Sequence, residues 1–140
     1  MKKKTKPLIF IQEIPPYKHE MIVCVGGGHD EIIKWYNKNI KKDKKWLKWA
    51  GYYKKHFNNV KEGKNSGYCL YEETNGWLIL FTRKFKNTWE YWDTLLHELN
   101  HIVFWIAERK LLKEEMEAQA YLHEYLFREI RRKLKTKRNF

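Results

Sequence analysis

Residues 88–108 read TWEYWDTLLHELNHIVFWIAE. The stretch is apolar and aromatic, and Asn87 stands before it as an N-cap with Glu90 three residues on, so it predicts a helix running to about Ala107. Within it, HELNH at 97–101 sets His97 and His101 four residues apart. Residues i and i+4 project from one helix face, so both imidazoles can aim a nitrogen at one point. Zinc takes such nitrogens at about 2.0–2.1 Å in a tetrahedral shell. Glu98 follows His97 and is offset around the helix, where it reaches a water held by the metal rather than the metal. Zinc lowers the pKa of that water, and the glutamate takes its proton as the water attacks a carbonyl. The competing reading is two histidines in ordinary hydrogen bonds at the rim of a core.

A catalytic zinc needs a third protein ligand and one open position. Glu114, Glu115, Glu117, His123 and Glu124 lie downstream. Glu117 is the choice on depth. His101 falls about 9 Å before the expected end of its helix and Glu117 about 5 Å into the next, so two antiparallel helices can bring them level. Glu114 and Glu115 sit in the first turn, where acids are common for helix-dipole reasons alone. His123 as a fourth ligand would instead make a closed, structural site. Tyr121, Tyr125 and His123 are candidates to stabilise an oxyanion, with Tyr121 taken as the catalytic one. The spacing of Tyr121 and Tyr125 also suits plain core packing.

The flanks supply a sheet. LIFIQEI (8–14) and EMIVCV (20–25) are β-rich runs. The glycines at 26–28 lead into a helix over 29–42 with Asp30 and Glu31 in its first turn, a tight strand-to-helix turn without phosphate-loop spacing. DKKWLKWAGYYKKHF (43–57) predicts a short helix broken near Gly51. YCLYEE (68–73) and WLILFTRKF (77–85) form a hairpin about Asn75-Gly76, with WLILFT (77–82) as the candidate edge strand for an extended substrate. A last helix runs from near Glu114 to about Lys135, with Ala118, Tyr121, Leu122, Tyr125, Leu126 and Ile130 on one stripe. Residues 1–6 and 134–140 read as frayed basic tails.

Length and composition bound the rest. The 140 residues suit one domain, 1–140, and 43% hydrophobic residues with seven Trp supply a core. Cys24 and Cys69 make no disulfide framework, which fits the cytoplasm, and both are expected buried in strands. The apolar run at the start stops after four residues, too short for a secretory signal, and nothing reaches membrane-span length. The formal charge of +12 attracts phosphates. A Lys-rich, Asn- and Ile-rich composition is equally what an AT-rich genome produces. The Lys–Trp–Tyr alternation at 43–57 is either a nucleic-acid surface or a helix packing its aromatics inward, and packing is the favoured reading.

LLHELNHIVFWI (95–106) followed by EEMEAQAYLHEYL (114–126) resembles the gluzincin pattern, His-Glu-x-x-His with a later Glu-Ala on a second helix. It is similar in particular to small phage and prophage metallopeptidases, through MIVCVGGGHDEI (21–32), NGWLILF (75–81), HELNH and EAQAYLHEYL (117–126). The resemblance spans roughly residues 20–128. No Gly-x-x-His follows His101, so the metzincin pattern is absent, and the gap from His101 to Glu117 is shorter than thermolysin-type spacing. The resemblance implies an α+β, zincin-like domain: a small twisted, mainly antiparallel sheet packed on the HExxH helix and a C-terminal helix. It implies zinc on His97, His101 and Glu117, Glu98 as general base, and a protein or peptide substrate. The rival reading is a basic nucleic-acid- or protein-binding protein of a mobile element with a structural zinc.

Overall fold

The computed structural model describes residues 6–14, 19–40, 44–72, 77–109 and 116–138. Four strands, β1 (Leu8–Ile14), β2 (His19–Val25), β3 (Gly67–Glu72) and β4 (Trp77–Thr82), form one sheet in the order β1-β2-β4-β3. β1 pairs antiparallel with β2, β3 pairs antiparallel with β4, and β2 and β4 pair parallel between them. The fold is α+β with a mixed sheet. The WLILFT strand is therefore central, not the expected edge, and among the described residues the edges are β1 and β3. The chain leaves β2 through three helices, α1 (His29–Asn39), α2 (Lys44–Tyr52) and α3 (Lys54–Lys61), before laying down β3 at the far side. β4 then turns back between β3 and β2. The turn expected at Asn75-Gly76 lies outside the described residues, though Glu72 facing Trp77 agrees with a hairpin.

The central strands are buried on both faces, and this is why β2 and β4 read as unbroken apolar runs rather than as alternation. Met21, Val23, Val25, Leu78 and Leu80 meet α4 (Trp89–Arg109) and α5 (Met116–Arg138). Ile22, Cys24, Ile79 and Phe81 meet α1, α2 and α3. The second face is closed by aromatics: Tyr36 stacks on Trp46 with centroids 4.0 Å apart, and Phe57 on Phe81 at 4.2 Å. Trp46 is fully buried, while Lys44, Lys48, Lys54 and Lys55 face solvent, as the packing reading of this stretch expects. The helix break falls at Tyr53 rather than Gly51, which sits inside α2. Gly26, at φ +80°, makes the sharp exit from β2 into α1.

Two expectations at the ends of helices change. Thr88, not Asn87, caps α4: its hydroxyl accepts the Tyr91 amide at 3.4 Å, while the Asn87 side chain accepts the Trp92 indole N–H at 2.8 Å. The basic C-terminus does not fray at 134, because α5 continues to Arg138 and Leu134 is fully buried. Residues 1–5, 139 and 140 lie outside the described residues. The buried stripe of α5 is Leu122, Leu126, Ile130 and Leu134, spaced by four, and Tyr121 stands off it, 67% exposed. Cys24 is buried as expected, but Cys69 is only partly so, because β3 is an edge. No helix among the described residues is long and apolar enough to cross a membrane.

Candidate metal centre

α4 packs Leu95, Leu99, Ile102 and Ile106 against the sheet. At 3.6 residues per turn, His97 and His101 then fall on its outer side, and both are exposed. Their Nε2 atoms stand 3.2 Å apart, with ring centroids 4.9 Å apart and planes at 81°. Two nitrogens bound tetrahedrally to one zinc at 2.0–2.1 Å stand about 3.3–3.4 Å apart, so the observed separation fits a shared ion with a shift of a tenth or two. A direct hydrogen bond between two neutral imidazoles gives a similar distance. Trp105, one turn beyond His101, lies 6.4 Å from its ring and backs the pair from the core side.

Glu98 behaves differently from its neighbours. It is only 7% exposed, the one buried acid among the described residues, and its side chain lies against the start of β3. A Cβ on Gly67 would stand 2.9 Å from Glu98 Cγ and 2.9 Å from Thr94 Cγ2, with the Phe81 carbonyl at 3.2 Å. The absence of a side chain at Gly67 thus lets the edge strand and α4 close on each other around Glu98. Gly67→Ala should therefore cost about 1–3 kcal/mol of stability through overpacking, and push Glu98 from its seat. Chemical denaturation measures the first effect; an unchanged midpoint would show that Thr94 and Glu98 yield freely. The Cys69 thiol lies 3.7 Å from the Glu98 carbonyl oxygen. Burial first, then the Glu98 side chain, raises its pKa above that of an ordinary thiol. Burial also raises the pKa of Tyr68 on the same strand, with smaller contributions from Tyr53, Cys69 and Glu98.

The third ligand is where the structure departs from the sequence reading. Among the described residues no group of three His, Cys, Asp or Glu side chains is gathered to hold a metal. Glu117 is exposed on the first turn of α5 and does not join the pair. Depth along the helices does not by itself bring Glu117 to the pair. His123 Nε2 meets the Leu96 carbonyl at 3.3 Å, and Phe127 packs on Trp92 at 5.9 Å. A step of four along one helix thus matches four back along the other. Ala118, five before His123, stands level with His101, five after Leu96. The side is what differs: α5 lies on the Leu96 flank of α4, about 140° around the axis from His101. Glu114 and Glu115 lie outside the described residues. His123 lies against the Leu96 carbonyl on that flank and is not gathered with the histidine pair. Tyr121, the expected oxyanion donor, is exposed, and no contact ties it to the histidine pair.

No protein-family model, no curated protein and no solved structure matches this chain. The reading of the site therefore rests on its own geometry. Gly67, Thr94 and Cys69, which seat Glu98, carried no signal in the sequence beyond a glycine at the start of a strand.

Proposed function

We propose that the chain is a zinc-dependent metallopeptidase, with His97 and His101 as metal ligands and Glu98 as general base. The observation that carries this reading is the 3.2 Å separation of two outward-facing Nε2 atoms beside a buried glutamate. A structural pair of surface histidines has no use for an acid held out of water next to it. The donor set fits zinc for two of its ligands. The third is assigned to Glu117 on the first turn of α5, with Glu114 and Glu115, just before it in sequence, as alternatives. Bound there, zinc supplies Lewis acidity to a carbonyl and acidifies a water. Glu98 accepts and later returns the proton, and its seat against Gly67 fixes where that happens. Tyr121 is the candidate for the oxyanion, at the same end of α5 as Glu117. An extended peptide adds to β3, the edge strand beside Glu98, in place of the WLILFT strand first assigned. A phage or mobile-element protein working in a host cytoplasm suits the two free thiols.

A second reading has an observation of its own. Lys44, Lys48 and Tyr52 are spaced by four on the face of α2 opposite buried Trp46 and Ala50, and Tyr52 is 73% exposed. Such a face suits a basic nucleic-acid-binding protein, in which zinc would be structural. The test is cleavage. Zinc-loaded protein should cut members of an unstructured peptide library, and chelation should stop it with recovery on adding zinc back. A chain that holds zinc, cuts nothing and binds nucleic acid with a steep salt dependence would favour the second reading.

A further inference from the structure

Beside the seat of Glu98 lies a small cavity of about 80 Å³, lined by Ser66, Arg83, Lys84, Lys86, Thr88, Glu90, Tyr91 and Thr94. Three cations face one carboxylate, leaving a net positive lining. Arg83 Nη2 donates to the Ser66 hydroxyl at 2.7 Å, which orients the exposed guanidinium at the rim. Thr88 caps α4 there, and the helix brings the partial positive charge of its N-terminal end to the same place. A volume of about 80 Å³ open to water leaves room for a carboxylate group and accompanying water. Thr94 ties it to the candidate centre: Thr94 Cγ2 and Glu98 Cγ lie under the same point of Gly67, on residues four apart, about 6 Å along α4. A strand added at β3 would pass both.

We propose that this cavity is an anion subsite that seats the acidic side chain of a peptide substrate, next to the bond presented to Glu98. The assignment rests on the peptidase reading for the word substrate, but not for the binding of a carboxylate. The preference is for Glu or Asp in one position of an extended peptide, recognised by Arg83 in a charge-assisted hydrogen bond with Lys84 and Lys86 as supporting charge.

Metal-free full-length protein is titrated with N-acetyl-glutamate α-amide and with its glutamine counterpart, and amide shifts are followed by NMR. The glutamate probe should move Ser66, Thr88 and Thr94 and the glutamine probe should not. Arg83→Gln and Lys86→Gln should each weaken the binding about three- to ten-fold. Shifts elsewhere, equal binding of the glutamine probe, or binding unchanged in both variants would overturn the subsite. Inorganic phosphate binding more than ten-fold tighter than the carboxylate would overturn the choice of an acidic side chain. In zinc-loaded protein, Arg83→Gln should lower kcat/KM about ten-fold more on acid-containing peptides than on neutral ones. Cleavage without any acid preference sinks the subsite and spares the peptidase. Carboxylate binding at these residues without cleavage sinks the peptidase and keeps the site.

Discussion

Replacing His97 or His101 with Ala should empty the chain of zinc while leaving its fold intact. Wild-type protein is expected to carry about one zinc per chain, and each variant close to none. Both imidazoles are exposed on the outer side of α4 and contribute nothing to its packing against the sheet. Exposed substitutions of this kind shift stability by only about ±0.5 kcal/mol. Zinc content by elemental analysis and a thermal melt on the same samples separate the two kinds of metal site. A structural zinc contributes folding energy directly, so its loss would lower the melting temperature along with the metal. A catalytic one moves the melt only by its binding linkage, and the metal-free chain still melts cooperatively. The acidic run is read in the same experiment: Glu117→Ala should weaken zinc strongly, and Glu114→Ala and Glu115→Ala should not. If Glu114 or Glu115 proves the sensitive position, the ligand comes from the connection between α4 and α5 rather than from α5 itself. Full zinc occupancy in both histidine variants would remove the site altogether.

What could be read in the sequence follows from what local pattern encodes. The i,i+4 spacing fixes the relation of His97 to His101 within one helix, and the structure keeps it at 3.2 Å. The apolar runs of β2 and β4 mark strands, and their continuity already hints at burial on two faces. Strand order is a different matter. WLILFT is central rather than an edge because α1, α2 and α3 carry the chain past β2 before β3 is laid down, and no local signal encodes that detour. The place of Glu117 relative to the histidine pair shows the same limit. Helix length sets the level at which Glu117 meets α4, and the level was legible. The side of α4 that α5 occupies is set by which residues meet across the helices, Trp92 with Phe127 and Leu96 with His123, and it cannot be had from depth alone. The seat of Glu98 belongs to the same class, since Gly67 is 31 residues away and reaches α4 only through the sheet.

The sharpest separation of the two functions comes from Glu98→Gln. Glutamine keeps the size and shape of the side chain, so it should occupy the same seat against Gly67 and Thr94 without the clash that a larger residue would bring. Zinc content should stay at the wild-type level, because the histidines are untouched and Glu98 projects about 100° around the helix from His97. Stability should hold or rise slightly, since a buried amide replaces a buried carboxylate. What the variant lacks is a group able to take a proton from water. Loss of a general base costs ~10²–10⁴ in rate, so cleavage should fall to that extent at unchanged KM. Comparing wild type and variant for zinc, melting and cleavage of one sensitive peptide gives all of these at once. A nucleic-acid-binding protein makes the opposite forecast: Glu98→Gln leaves its affinity and its salt slope alone, and those depend instead on Lys44, Lys48 and Tyr52. Cleavage that survives in Glu98→Gln at the wild-type rate would show that the buried glutamate is not the base, even if the zinc is real.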